Sequence, residues 1–222
     1  MKAISNSKFL LLLLVFISCS ISGFGQGKIN LSKLDVNKLP AGVKYEGKVK
    51  NAVQWKDNLG DNIVITTETG SYPSKNPSED EESNDADIFA YHYIIKGDKV
   101  TLNWQVRDRI INCFLDLELS YIKNTFQVTD LDNNGEAEVW LMYKIGCRSD
   151  VCPCDMKIIM YQGQKKHAIR GENKAMIGID DNGKKIYEGG QYKVDNAFKN
   201  SPKVFLEYAK KMWKKNMMDR AN

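Results

Sequence analysis

The chain predicts a mainly β protein of the α+β class, an antiparallel sheet or sandwich with one C-terminal helix packed on it. Three observations carry that expectation. Short β-branched or alternating segments recur between glycine and asparagine turns. Apolar residues at three- and four-residue spacing occur at the C-terminal end, and no Pro/Gly/Ser-rich linker divides the chain.

Each element has its own signal. Ile63 to Thr67 is β-branched throughout, which suits a pleated, packed surface. Ile88 to Ile95 leads through Gly97-Asp98 into Val100 to Val106, a hairpin pattern. Cys113 to Leu119 alternates apolar Cys113, Leu115, Leu117 and Leu119 with polar Asp116 and Glu118, as a strand with one buried face does. Thr125 to Thr129 and Ala137 to Ile145 flank an acidic loop, and Met156 to Tyr161 turns through Gly163 into His167 to Arg170. A further pair of strands meets at Asn182-Gly183, a dipeptide that predicts a type I′ turn because both residues tolerate positive φ. Residues 71–87 contain two prolines, four serines and six acids, Glu79, Asp80, Glu81, Glu82, Asp85 and Asp87, and read as a mobile acidic surface loop with little to bury. At the far end Ser201 is placed to cap a helix with Pro202 at its first position. Val204, Phe205, Tyr208, Ala209, Met212 and Trp213 then form the stripe that packs on the sheet.

The N-terminus reads as an address. Lys2 and Lys8, the apolar run from Phe9 to Ile17 and the small residues of Gly23-Phe24-Gly25 predict a secretory signal peptide over residues 1–25, cleaved to leave Gln26 first. A rival site is Cys19, which after Phe16-Ile17-Ser18 resembles a bacterial lipobox and would make the protein a lipoprotein. No later stretch approaches the roughly 20 apolar residues that a membrane-spanning helix needs. Residues 26–222 are then a single β-rich domain in an exported protein, periplasmic, outer-membrane associated or secreted. Without residues 1–25 the chain carries 30 basic against 28 acidic side chains. Its cations are scattered except for Lys210-Lys211 and Lys214-Lys215, which argues against nucleic acid.

The strongest chemical signal is Asp130-Leu131-Asp132-Asn133-Asn134-Gly135-Glu136-Ala137-Glu138. Calcium takes six to eight oxygen ligands, and a tight loop supplies them from alternate positions while a glycine lets the backbone turn. Asp130, Asp132 and Asn134 fall at positions one, three and five, Gly135 at six and Glu138 at nine, with Glu136 offering its backbone carbonyl. Leu141 stands where an EF-hand has its bidentate glutamate, and both flanks read as strands. The loop therefore resembles the calcium hairpins of integrin-type propeller (FG-GAP) repeats, in a single copy. The competing reading is an Asx-rich turn whose carboxylates bond their own backbone.

Export makes disulfides the expected state of Cys113, Cys147, Cys152 and Cys154, and four cysteines allow three pairings. A Cys113 to Cys147 bridge would staple neighbouring strands and leave Cys152-Pro153-Cys154 as a close pair. Zinc on all four, or a redox role for the close pair, are the alternatives. Catalytic signals are thin. His92 shares a strand face with Ile88, Ala90 and Ile94 and reads as a core or flank histidine, whereas His167 follows two lysines and reads as exposed. No nucleophile elbow, His-Glu-x-x-His pair or phosphate-cradling loop occurs.

Gly60-Asp61-Asn62-Ile63-Val64, Thr129-Asp130-Leu131-Asp132, Gly146-Cys147 through Asp150-Val151, Met156-Lys157-Ile158-Ile159-Met160 and Ala168-Ile169-Arg170-Gly171 together resemble a group of exported Bacteroidetes proteins loosely labelled surface polysaccharide biosynthesis proteins. The resemblance covers roughly residues 43–215 and implies an envelope location with an indirect link to surface glycans; it brings no catalytic residues. Two functions remain open. One is a non-enzymatic envelope domain, stabilised by calcium and a disulfide, that binds a glycan or protein partner and presents Trp55, Trp104 or Trp140 on an open face. The other is an exported enzyme acting on envelope polysaccharide through paired carboxylates, which would converge in one cleft.

Overall fold

The computed structural model describes residues 29–77, 82–149 and 152–218. The predicted signal peptide, with Cys19 and the Gly25-Gln26 junction, lies outside them. The N-terminal sheet contains β1 (Ser32–Lys33), β2 (Lys48–Asp57), β3 (Gly60–Glu68), β4 (Tyr72–Pro73), β5 (Asn84–Lys96) and β6 (Lys99–Cys113). β2, β3, β5 and β6 follow one another as an antiparallel meander, β1 extends the edge of β2, and β4 pairs with the first residues of β5. The chain then builds a second sheet from β7 (Asp116–Tyr121), β8 (Gln127–Thr129), β9 (Glu138–Arg148), β10 (Asp155–Gln162) and β11 (Lys165–Glu172). A separate hairpin, β12 (Lys174–Ile179) and β13 (Lys185–Gly189), precedes β14 (Tyr192–Val194), which returns to the edge of β11. Two helices close the described chain, a single turn α1 (Asn196–Lys199) and the longer α2 (Lys203–Asn216).

Three apolar clusters define four layers. Between the sheets, Val64, Ile88, Ala90, Trp104 and Val106 of the first meet Leu119, Val139, Leu141, Tyr143, Ile159 and Tyr161 of the second. The far face of the second sheet carries Trp140, Met142, Met156, Ile158, Met160 and Ile169, covered by Phe198, Phe205, Ala209, Met212 and Trp213 from the helices. The far face of the first sheet carries Ile63, Ile65, Phe89, Tyr91 and Tyr93, against Leu34, Val36, Leu39, Val43 and Tyr45 of the N-terminal arm. Central strands thus bury both faces. This explains why Val139 to Tyr143 is an unbroken apolar run rather than an alternation. The predicted helix stripe is core, as its spacing implied.

The sheets are tied at both ends of β9. Near one end Cys113 and Cys147 are bridged, with Cα atoms 5.6 Å apart. The pairing is the predicted one, but the bridge joins β6 of one sheet to β9 of the other rather than two neighbouring strands. This excludes the four-cysteine zinc site. Near the other end Asp57, at the close of β2, accepts Ala137 N–H at 3.1 Å, and Asn58 N–H donates to Gly135 O at 2.9 Å.

A polar chain crosses the core between these ties. Asn103 donates to His92 Nδ1 at 3.1 Å and to Gly163 O at 3.0 Å. His92 Nε2 faces Asn62 Oδ1 at 2.9 Å, and Asn62 in turn donates to Asp57 at 2.8 Å. With Nδ1 accepting, the proton must sit on Nε2, so every site on the neutral ring is satisfied. Trp55 stacks on the imidazole at 5.5 Å and Trp104 lies at 5.1 Å, itself stacked on Tyr161 at 4.3 Å. Burial pushes the His92 pKa down to about 4.

Several local expectations are corrected. The acidic segment 71–87 is not wholly a loop, because β4 and the start of β5 lie in it. Asp85 accepts from Ser74 Oγ and from Asn112 N–H, and Asp87 binds Tyr72 Oη and Arg107. These are buried, partnered acids. Glu79, Asp80 and Glu81 fall outside the described residues. Cys113 to Leu119 is two strands, since β6 ends at Cys113 and the chain crosses through exposed Phe114 and Leu115 into the other sheet. The 182–183 turn is not type I′: of the two residues only Gly183 has positive φ, at 79°. Gly183 N–H bonds Asp180 O and Asp180 N–H bonds Lys184 O, the pattern of a type I turn followed by a left-handed glycine. Ser201 does not cap α2; its hydroxyl donates to Phe198 O, while Asp195 caps α1. His167 is buried, because it alternates with Lys166 on β11 and shares the helix-covered face with Ile169. Its ring lies 5.1 Å from Phe198 and 6.1 Å from Phe205.

Two outcomes follow. Cys113→Ser with Cys147→Ser should cost about 2–5 kcal/mol in urea unfolding, with the loss absent when the wild type is measured reduced. The second concerns acid. Below about pH 6.5 the unfolded chain takes up a proton on His92 that the native state refuses until about pH 4, so stability should fall with pH across that window, by about 3 kcal/mol in all. NMR titration should find this imidazole neutral at pH 5.

Candidate metal centre

The loop from Asp130 to Ala137 leaves β8 and enters β9, and its ends are set by the pairing of Thr129 with Glu138. Both Asp130 oxygens accept from the loop's own backbone, Asn134 N–H at 3.0 Å and Gly135 N–H at 3.2 Å. Asn133 and Gly135 take positive φ, 55° and 80°, so the chain can double back. Glycine is required at 135 for a second reason: a Cβ there would stand 2.3 Å from Asn58 Nδ2, which bonds Asn134 O. The loop of one sheet is therefore pressed onto the β2–β3 turn of the other.

Asp130, Asp132 and Glu138 each bring a carboxylate oxygen within 4.8 Å of the others. Asp130 and Glu138 are buried, and Glu138 is 0% exposed. Glu138 Oε2 accepts from Thr129 Oγ1 at 2.6 Å and Leu131 N–H at 2.9 Å, and Thr129 Oγ1 accepts from Trp140 Nε1 at 2.8 Å. Burial pushes the Glu138 pKa up to about 7, opposed by these hydrogen bonds and reinforced by Asp132 and Asp130. The charges surrounding Glu138 are of its own sign.

Two of the five predicted ligands, Asn134 and Glu136, bring no side-chain carboxylate to the cluster. Asn134 Oδ1 accepts Glu136 N–H at 2.8 Å, and its amide donates to Asp132 Oδ2 at 3.1 Å, so its oxygen is engaged inside the loop. The Glu136 side chain lies by Gly163, outside the carboxylate cluster, as suits a residue expected to offer only its backbone carbonyl. Sequence reasoning missed Gln162, the last residue of β10, which pairs directly with Glu138. Its amide nitrogen lies 3.3 Å from both Asp132 oxygens and 3.3 Å from Glu138 Oε1. Only the register of β9 against β10 reveals it. An all-oxygen set of this kind fits a hard cation such as calcium, and a rotated Gln162 carboxamide would add a neutral oxygen.

No protein-family model, curated protein or solved structure matches this chain.

Other predicted sites resolve more simply. Trp55, Trp104 and Trp140 are all buried, so none forms an open platform. Cys152 is exposed and unbridged; Cys154 is buried, and burial pushes its thiol up to about 11. A thiol so shielded is a poor nucleophile. A cleft of about 620 Å³ opens beside Lys50, Asn51, Tyr121, Lys123, Phe126 and Gln127. Among the described residues its one carboxylate, Glu68, bonds Lys50 at 2.8 Å and accepts Tyr121 N–H at 2.7 Å. That leaves it no facing carboxylate with which to share acid and base roles.

Because Glu138 is a buried carboxylate among other acids, Glu138→Gln should stabilise the metal-free protein at pH 8 by about 1–3 kcal/mol. Urea unfolding in chelator measures this, and a loss of stability would show the charge to be well compensated.

Proposed function

We propose that this chain is a non-enzymatic protein of the cell envelope, exported by its N-terminal signal, whose β-sandwich is held by calcium at the Asp130 loop. The carrying observation is the trio Asp130, Asp132 and Glu138, converging at the seam between the sheets with Glu138 wholly buried. Asp130, Asp132, Glu138 and a rotated Gln162 would hold the ion. Bound there, calcium supplies the positive charge that the buried carboxylates lack. Its role is structural, because the ligands lie on two adjoining strands and one short loop, braced by Asn58 from the other sheet. The resemblance to exported surface-polysaccharide proteins supports a glycan as the partner, and the polar cleft beside Lys50 and Gln127 is a suitable place for one. Among the described residues that line the cleft Glu68 is the one carboxylate, and it is held by Lys50, which favours binding over hydrolysis.

A ligand that binds only the folded state adds RT ln(1 + [L]/Kd), so calcium at about 100 times its dissociation constant should contribute roughly 2.7 kcal/mol. Asp132→Ala should abolish that increment while leaving the chelated protein folded. Calorimetric titration of the chelated wild type tests the reading directly, and absence of calcium binding would return the loop to a polar turn.

A further inference from the structure

The β12–β13 hairpin belongs to neither large sheet. Among the described residues, β12 is the sole strand partner of β13, and Lys184 to Glu188 are all exposed. Met176, Ile179, Ile186 and Tyr187 leave apolar surface in solvent there. Two strands alone are marginal in water, whereas a third or fourth strand makes such a sheet stable. An exposed edge with these properties is a template for another strand.

We propose that this edge pairs with the same edge of a second copy, giving a four-stranded sheet β12-β13-β13-β12 across a twofold axis. The argument is self-complementarity. Antiparallel strands related by a twofold axis normal to their sheet bring opposite residues to the same face, so each pair must have numbers that sum to an even value. With Ile186 on the axis, Ile186 meets its own copy, Lys185 meets Tyr187, and Lys184 meets Glu188. Every charge then faces an opposite charge or an aromatic ring, and the centre is apolar. The next permitted register, with Tyr187 on the axis, sets Ile186 against Glu188 and Lys185 against Gly189, and leaves the charges unpaired. The sequence Lys184-Lys185-Ile186-Tyr187-Glu188 therefore selects one register. β6, the long edge strand of the first sheet, carries Arg107 and Arg109, both drawn to Asp87, and a register shift against β5, so its edge is neither free of side-chain ties nor regular.

Sedimentation velocity on the full exported chain, across micromolar to millimolar concentration, tests the pairing. The wild type should double its mass as concentration rises. Lys184→Glu should weaken self-association by at least about tenfold, because like charges then face each other at both ends of the pair, and Glu188→Lys should do the same. An equimolar mixture of the two variants should associate again, since each supplies the charge that the other lacks at both ends. The substituted side chains are exposed, so unchanged melting temperatures should show that both variants fold. A wild type that stays monomeric throughout, variants that dimerise like the wild type, or a mixture that fails to associate would each overturn the proposal.

Discussion

A strand covered on both faces has no face left for solvent, and β9 imposes that condition on the rest of the molecule. Val139, Leu141 and Tyr143 must find one apolar partner surface and Trp140 and Met142 another. One sheet cannot meet both demands. The first is met by the inner faces of β3, β5 and β6, the second by α1 and α2. The same logic repeats in β5, whose outer residues Phe89, Tyr91 and Tyr93 need the N-terminal arm. The helix and the arm are thus consequences of central strands that are apolar twice over.

Polar groups set the alignment that apolar contact leaves loose. Hydrophobic burial is non-directional, so the two sheets could slide while keeping much of their contact. Asp57 resists this, because its carboxylate takes Ala137 N–H from one sheet and Trp55 Nε1, Leu59 N–H and Asn62 Nδ2 from the other. The chain from Asn62 through His92 and Asn103 to Gly163 adds a second tether toward the β10–β11 turn. Each buried partner in this network would be costly if orphaned, so the network penalises any other register. The disulfide fixes the opposite end of β9, and the sandwich is constrained at both.

Much of this was legible in residues. The β-branched run at Ile63, the Val139–Tyr143 segment, the helix stripe at Phe205 to Trp213 and the pairing of Cys113 with Cys147 all show local pattern. What escaped depends on distant partners. β2 was missed because Lys48, Lys50 and Lys56 break its apolar content, and its packing is supplied by the arm and β3. Asp85 and Asp87 looked like solvated acids because the groups that hold them, Asn112 N–H for Asp85 and Arg107 and Arg109 for Asp87, lie twenty or more residues away. His167 looked exposed beside two lysines, although strand alternation sends its ring the other way. At the candidate site the loop spacing pointed to Asp130, Asp132, Asn134, Glu136 and Glu138, and the carboxylates of Asp130, Asp132 and Glu138 converge. Gln162 was invisible there, because no sequence spacing encodes which residue of β10 stands opposite Glu138.

The layering also orders how the molecule opens. β9 has strand neighbours on both edges and packed layers on both faces, so its amides can meet water only after a neighbouring strand and a covering layer have moved. The arm and the α1–α2 layer each cover a single outer face, and either can lift while the inter-sheet core stays closed. Hydrogen exchange should therefore proceed inward in steps, with the β12–β13 hairpin and the arm labelling early and β9 and β10 last. A protease would meet the same sequence of barriers.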